Sequence, residues 1–343
     1  MTNTCKRLIV QGAVSCFVAM SAFICATAIE GQQTQHLNHY DHMYRKLWLL
    51  VEKDYLWRNR LSDWSQWEHK FDGKLHSLAD EQAAAKQLMA SLDDDYSYVL
   101  DDGLKKKLSR ERASTGDVSI KVLPNNVGYI AISTFEALDL DNQVASGLKK
   151  LRGVDSYILD LRGNRGGLVQ RAFDVFSMFI DEGRFTSYRG FKSGGSDEAL
   201  FDLTKQYSQV TRDGNLLRNK RLPNLTGNKP IIVLVNSDTR SAAEMVAGAL
   251  RDNGRATLLG TKTFGKGVLQ NVQKMEDGTL LKLTTAKYFL PKGENIHGVG
   301  IEPDIIVASG VDGKDEQLQR ARRILESEQQ LSRSQEAAAG SNL

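Results

Sequence analysis

A serine at a helix start and a lysine between two glycines, Ser241 and Lys266, are the residues of this chain best able to do chemistry together, and 25 positions separate them. The apolar run Ile231-Ile232-Val233-Leu234-Val235 reads as a core strand that stops at the turn formers Asn236, Ser237 and Asp238. Ser241 follows, and with Glu244 three residues on it has the form of a capping box ahead of the helical run AAEMVAGAL. A second short strand, ATLLG, leads to Thr263-Phe264-Gly265-Lys266-Gly267, whose glycines free the backbone for an unusual bend. Both side chains then fall at loop ends of neighbouring strands, where open α/β sheets place their ligands.

Acyl transfer at a serine needs a base within hydrogen-bonding reach. Histidine is badly distributed for that role. His36, His39, His42, His69 and His76 all lie in an N-terminal helical stretch, so a Ser/His/Asp triad would depend on His297 alone, which reads as a polar turn residue. Lysine serves if its neutral form is populated. That requires lowering a pKa of ~10.4 by about 3 units, on the order of 4 kcal/mol, through desolvation and placement. Lys266, between glycines and beside Phe264 and Val268, can be buried in this way, and Gln270 is polar in an apolar strand start and placed to hold the amine. An oxyanion hole is the second requirement. The amide of Ala242, in the first helical turn, gains from the helix dipole, and Gly166 or Gly167, in the loop Arg162-Gly163-Asn164-Arg165-Gly166-Gly167, can supply a second donor. Each signal alone is weak: Ser241 would be a helix cap, TFGKG a tight turn without P-loop spacing, and the glycine loop a strand-to-helix turn.

The elements that must position these groups follow from periodicity. From Leu37 to Arg112 the chain reads helical, as YRKLWLLVEKDYLW, WSQWEHKFDGKLHSL and ADEQAAAKQLMASL. The tryptophans Trp48, Trp57, Trp64 and Trp67 read as the packing of this arm, and residues 37–90 offer a surface for self-association or for an adaptor chain. From Val118 strands take over: VSIKVL, the turn Pro124-Asn125-Asn126, VGYIAISTF and, after a helix, the buried strand SYILDL. Residues 183–229 read as a mobile surface excursion with a polar helical stretch, FDLTKQYSQV. A hairpin turn at Glu276-Asp277-Gly278 introduces LLKLTTAKYFL, and the tail past Gly310 is a charged helix ending in an Ala/Gly/Ser segment read as disordered.

The first 28 residues have a short basic start, an apolar stretch and the ending Ala26-Thr27-Ala28, the form of a secretory signal cleaved near Ala28, so the chain is expected to be exported, periplasmic or secreted. Cys5, Cys16 and Cys25 all fall inside that segment, which leaves the mature chain no thiol for a disulfide, a metal or a nucleophile. Losing Lys6 and Arg7 from 45 basic residues brings them close to the 42 acidic ones, so nucleic acid is not the expected partner. No metal or other cofactor is called for.

The motifs DLRGNRGG, SAAE, TFGKG with Gln270 four beyond the lysine, DGTLLKLTTAKYFLPKG and GIEPDI resemble, in order, those of the C-terminal processing peptidases, or tail-specific proteases, over about Tyr96 to Val307. The resemblance implies a serine-type peptidase acting on polypeptide, with Ser241 as nucleophile, Lys266 as general base and Gln270 as the residue that orients it. It also implies a twisted α/β core of the Clp protease and crotonase type. The expected organisation is a signal peptide at 1–28, a helical region and linker at 29–115, the peptidase core at 116–308 and a tail at 309–343. Ala243 stands where a serine is common in that family. The family's PDZ domain, on the order of 80 residues, has no room between Asp101 and Asn126, so the chain reads as a member without PDZ gating. The alternative reading is a catalytically silent peptide-binding or scaffold protein on the same fold.

Overall fold

The computed structural model describes residues 37–100, 103, 106, 118–310 and 313–340. The expected signal segment, the three cysteines, His36 and nearly all of the linker before Val118 lie outside the described residues. Two sheets and a helical arm make up the rest.

The arm begins at α1 (His39–Asp54), where Asn38 Oδ1 accepts the amides of Tyr40 and Asp41 at 2.8 and 3.0 Å and Asp41 Oδ2 accepts that of Asn38 at 3.1 Å. This reciprocal cap satisfies donors that a helix start leaves open. Tyr44, Leu47, Trp48 and Val51 recur at three and four, and they bury one face of α1 against α3 (Leu78–Ala90) through Ala84, Ala85 and Leu88. Full burial of Leu47 or Leu88 is worth about 2 kcal/mol each. Trp48 stacks on Trp64, so these tryptophans are core of the arm. The middle helix read from Trp64 to Leu78 is a correction: before α3 begins at Leu78 only α2 (Ser65–Glu68) is helical, and turns around Asp72-Gly73 replace the rest. β1 (Tyr98–Leu100) then pairs antiparallel with β12 (Leu280–Phe289), whose Leu281 and Leu283 belong to the arm's core.

The main sheet has the order β13-β10-β9-β4-β3-β2. Here β2 is Val118–Leu123, β3 Val127–Ile132, β4 Ser156–Asp160, β9 Ile231–Val235, β10 Thr257–Gly260 and β13 Ile305–Ile306. All its pairs are parallel except β2 with β3, and every residue of β4 and β9 is buried, as sheets covered on both faces require. One face carries α4 (Leu140–Lys150), α5 (Val169–Ser177) and α6 (Ala242–Asp252). The other is covered by α7 (Glu316–Gly340), through Ala321 and Leu325 on Ile158, Ile232, Leu234 and Leu259. The expected tail helix is thus present as far as Gly340.

The second sheet is antiparallel, in the order β1-β12-β5-β6-β7-β8, with β11 (Val268–Lys274) on the other edge of β12. Its strands β5 (Gly183–Lys192), β6 (Gly195–Leu203), β7 (Tyr207–Arg212) and β8 (Asn215–Lys220) occupy the region read as a surface excursion, and FDLTKQYSQV lies in β6 and β7. The helix expected there is wrong. Ser193-Gly194 (φ 52° and 79°) and Asp213-Gly214 (φ 46° and 79°) both sit in the left-handed region that two-residue hairpin turns demand, and they fold the segment into two consecutive hairpins.

Candidate active site

Val235 and Gly260 end level on the paired strands β9 and β10, so the loops that follow, with Ser241 and Lys266, leave the sheet side by side. Ser241 sits at the head of α6 with φ 57° and ψ −123°, a conformation that is costly for a residue with a side chain and recurs at functional sites. It is 8% exposed.

Gly166 is the reason Ser241 can be approached so closely. With φ +90°, an added Cβ would lie 2.8 Å from Ser241 Cβ and 2.9 Å from the Arg240 carbonyl. The loop is pinned on its far side: Phe135 N–H donates to Gly166 O at 2.9 Å, and Leu168 N–H returns to Phe135 O at 2.9 Å. Gly166's own amide donates to Asn164 Oδ1 at 2.9 Å. The trans peptide between the two glycines points the Gly167 N–H away from Phe135, and no acceptor engages it among the described residues. Ala242 N–H, in the first turn of α6, is likewise without a partner there.

The lysine loop is built just as tightly. A Cβ on Gly265 would meet Gly300 N at 2.6 Å, and one on Gly267 would meet His297 N at 2.5 Å. Glycines therefore flank Lys266 because the turn from Ile296 to Gly300 packs on them. Lys266 Nζ lies 5.0 Å from the centre of the Tyr96 ring. Burial, helped by the charges of Lys282 and Arg240, lowers its pKa to about 8, against the opposing pull of Asp94 and Glu136.

One carboxylate joins the two loops. Glu244 is fully buried, and its Oε2 accepts the amides of Ser241 (2.8 Å) and Lys266 (2.9 Å) while Oε1 accepts the amide of Gly265 (2.7 Å) and the hydroxyl of Thr263 (2.6 Å). Burial raises the carboxyl pKa and these four donors lower it. The sequence pointed to Glu244 as a capping residue only. Its bonds to Thr263, Gly265 and Lys266 are long-range and carry no local signal. Tyr288, also outside the sequence reading, is buried beneath the site and its hydroxyl donates to Ser241 O at 3.4 Å.

The structure thus brings Ser241, Ala242, Gly166, Gly167 and Lys266 to one end of the main sheet. Among the described residues no hydrogen bond yet joins Ser241 Oγ to Lys266 Nζ. Gln270 follows a bulge between Leu269 and Gln270, and its Nε2 donates to Thr284 Oγ1 at 3.4 Å. His297 comes near the site, its ring 5.6 Å from that of Trp57 and 6.3 Å from that of Tyr96. Its Nδ1 is buried without a hydrogen-bond partner among the described residues and burial lowers its pKa, so no carboxylate among them bonds that nitrogen as a triad would require.

Comparison with known proteins gives a consistent set. The sequence profile of peptidase family S41 matches residues 126–307. The carboxy-terminal-processing protease of Bartonella bacilliformis is 37% identical over 218 residues, which is 61% of this chain and 45% of that protein. The chloroplastic carboxyl-terminal-processing peptidase 3 of Arabidopsis thaliana is 32% identical over 262 residues, 71% of this chain and 46% of its own. The chain spans less than half the length of these curated relatives. Among solved structures, a photosystem II D1 C-terminal processing protease superposes with a TM-score of 0.61 at 20% identity, over 79% of this chain and 94% of that one. A lipoprotein from Streptococcus agalactiae does so at 0.62 and 18%, over 84% and 96%; at these identities the likeness is one of fold.

Proposed function

We propose that this chain, which belongs to peptidase family S41 through residues 126–307, is a serine endopeptidase that cleaves polypeptide by acyl transfer on Ser241 with Lys266 as its base. The neutral amine of Lys266 takes the hydroxyl proton as Ser241 Oγ adds to the substrate carbonyl carbon, and the carbonyl oxygen collects the negative charge. The amides of Ala242 and Gly167 receive that oxygen, in the water-poor setting where such donors are worth most. Collapse breaks the C–N bond, the ammonium of Lys266 gives its proton to the departing amine, and an acyl-serine remains. Water then adds to the acyl carbon with Lys266 taking its proton, and that proton returns to Ser241 Oγ as the acid leaves. Gln270 serves to steady the amine from the strand after it.

The observation that carries this reading is the shared Glu244 carboxylate, whose Oε2 holds the backbone amides of both the nucleophile and the base. A lysine with its pKa lowered to about 8 is neutral in about a tenth of molecules at pH 7, far more than a free lysine, as a general base needs. Residues 101–117, between β1 and β2, are too few for a PDZ domain of roughly 80 residues, so we place substrate entry directly at the site, without PDZ gating. The first 28 residues are proposed to direct export, and the N-terminus of protein recovered from the cell envelope should lie just after Ala28.

The direct test is hydrolysis of unfolded casein by the purified mature chain. Ser241→Ala and Lys266→Ala should each abolish cleavage with circular dichroism unchanged, and full activity in either variant would remove the proposal.

A further inference from the structure

Tyr96, in the loop that leaves the helical arm for β1, sets its ring 5.0 Å from Lys266 Nζ, measured to the ring centre. No step of the proposed chemistry uses this contact. A ring face within about 6 Å attracts an ammonium and does nothing comparable for a neutral amine. It therefore favours the form of Lys266 that carries the proton taken from Ser241, which must stay in place until the departing amine receives that proton. The ring also fills space beside Nζ that water would otherwise take. Tyr96 is half-buried and belongs to none of the apolar cores formed by the described residues, so packing does not account for its place.

The loop is fixed on three sides. Asp94 Oδ1 accepts the amide of Tyr96 at 3.1 Å, and its Oδ2 accepts the hydroxyl of Ser97 at 2.6 Å. Ser97 is buried, and its Oγ accepts the amide of Thr284 at 2.9 Å, while the Thr284 carbonyl accepts the amide of Leu56 at 3.0 Å. Both backbone groups of Thr284 are thus held by the arm. Its hydroxyl is the acceptor for Gln270, its partner in the register of β11 and β12. On the third side the Tyr96 ring meets His297, whose other neighbour is Trp57 of the arm. The backbone of His297 is what a Cβ on Gly267 would strike. One stretch of the arm therefore braces the amine, the Gln270 beyond it and the turn that packs on the lysine loop.

We infer that Tyr96 is a positioning residue for the base: its ring walls Lys266 Nζ from water and steadies the ammonium between its two proton transfers. The inference rests on the peptidase reading and adds to it a residue from the helical arm, so that docking of the arm on β12 becomes a condition of turnover. Charge reaches the amine from each element packed about it. Lys282 of β12 and Arg240 ahead of α6 oppose its protonation, and Asp94 of the arm loop and Glu136 after β3 favour it. Glu244 of α6 binds the Lys266 amide, and His297, with its pKa lowered by burial, is mostly neutral at pH 7 and above. None of these groups is altered by a change confined to the Tyr96 ring.

Titration of the amine tests this without calling on catalysis. Lysine labelled with 13C at Cε is followed by NMR in the full mature chain from pH 6 to 11, with the Lys266 signal assigned by its loss in Lys266→Met. Tyr96→Leu keeps the wall and removes the ring face, so the midpoint should fall by about 0.4 to 1.5 pH units. Casein cleavage on its high-pH plateau should then slow by roughly 2- to 30-fold with KM little changed. Tyr96→Ala admits water and should titrate at higher pH than the Leu variant, toward free lysine. Tyr96→Phe, which restores the ring, should return both the midpoint and the plateau to near the wild-type values. Circular dichroism confirms folding, and if the Ala variant does not fold, Leu against Phe decides. One midpoint shared by the wild type and the Leu and Ala variants, or a Phe variant that behaves as Leu does, overturns the inference. Absence of cleavage by the wild type removes the peptidase reading and this role with it, whereas cleavage with unmoved midpoints removes the role of Tyr96 alone.

Discussion

The backbone amide of Lys266 lies 2.9 Å from Glu244 Oε2, the same oxygen that accepts the amide of Ser241 at 2.8 Å. A buried carboxylate with four donors is a strong anchor because each donor would otherwise face a dry interior unpaired. It fixes the separation of two loops that are also joined by the Phe264 N–H to Thr239 O bond at 3.0 Å.

Removing that anchor should therefore damage both stability and turnover. Glu244→Ala strands four donors, and by analogy with breaking a buried charged network it is expected to cost about 3–5 kcal/mol in urea denaturation. Thr263→Val removes only one hydroxyl, also bonded to the amide of Ile301, and should cost about 1–2 kcal/mol. Cleavage should fall more steeply with Glu244→Ala than the loss of folded protein explains.

The pH dependence follows from Lys266. With its pKa lowered to about 8, the neutral base grows in as pH rises, so kcat/KM should climb through that value. Lys282 and Arg240 help to hold the pKa down, and Lys282→Gln should move the limb to higher pH. The linkage has the same sign. Between about 8 and the ~10.4 of an unfolded lysine, the unfolded chain carries a proton that the native state lacks, so this group adds stability as pH rises through that window. Lys266→Met should flatten both the activity limb and that rise, read from denaturation midpoints at several pH values.

Gly166 and Gly163 make a matched comparison in one loop. Both have positive φ, +90° and +72°, but a Cβ at Gly163 meets nothing within 4 Å, whereas one at Gly166 collides with Ser241 and Arg240. Gly163→Ala should cost about 1 kcal/mol, from conformation alone, and keep activity. Gly166→Ala should lower kcat at least ~100-fold, the scale of a displaced oxyanion donor.

Arg162 ties the same loop to the C-terminal helix. Its guanidinium bonds Asp160 at the end of β4 (Nε, 2.9 Å) and both oxygens of Asp315 ahead of α7 (2.7 and 2.8 Å). Arg162→Ala leaves Asp160, 6% exposed, with the Tyr129 hydroxyl and one backbone amide. A loss of about 3 kcal/mol is expected, with faster hydrogen exchange in the first turns of α7.

Much of this arrangement was legible in the residues. IIVLV and SYILD are apolar throughout because β9 and β4 are buried on both faces, and the level ends of β9 and β10 put Ser241 and Lys266 where the spacing placed them. The helical reading of FDLTKQYSQV failed because the strands of the β-hairpins are only half-buried, so their alternation is faint. The turn pairs Ser193-Gly194 and Asp213-Gly214 were the better signal. The helix expected at Trp64 to Leu78 was broken by Asp72-Gly73, and aromatic residues placed by tertiary packing imitated its period. Glu244's wider role was not legible, since three of its four donors come from a loop some twenty residues away.

The measurement that bears most directly on the central claim is the rate at which a fluorophosphonate labels the chain, followed by peptide mass spectrometry from pH 6 to 10. The account predicts a single adduct, on Ser241, with a rate that rises through about pH 8 and falls at least ~100-fold in Lys266→Ala. An adduct elsewhere, or a Ser241 rate that is flat with pH and unchanged in Lys266→Ala, would contradict it.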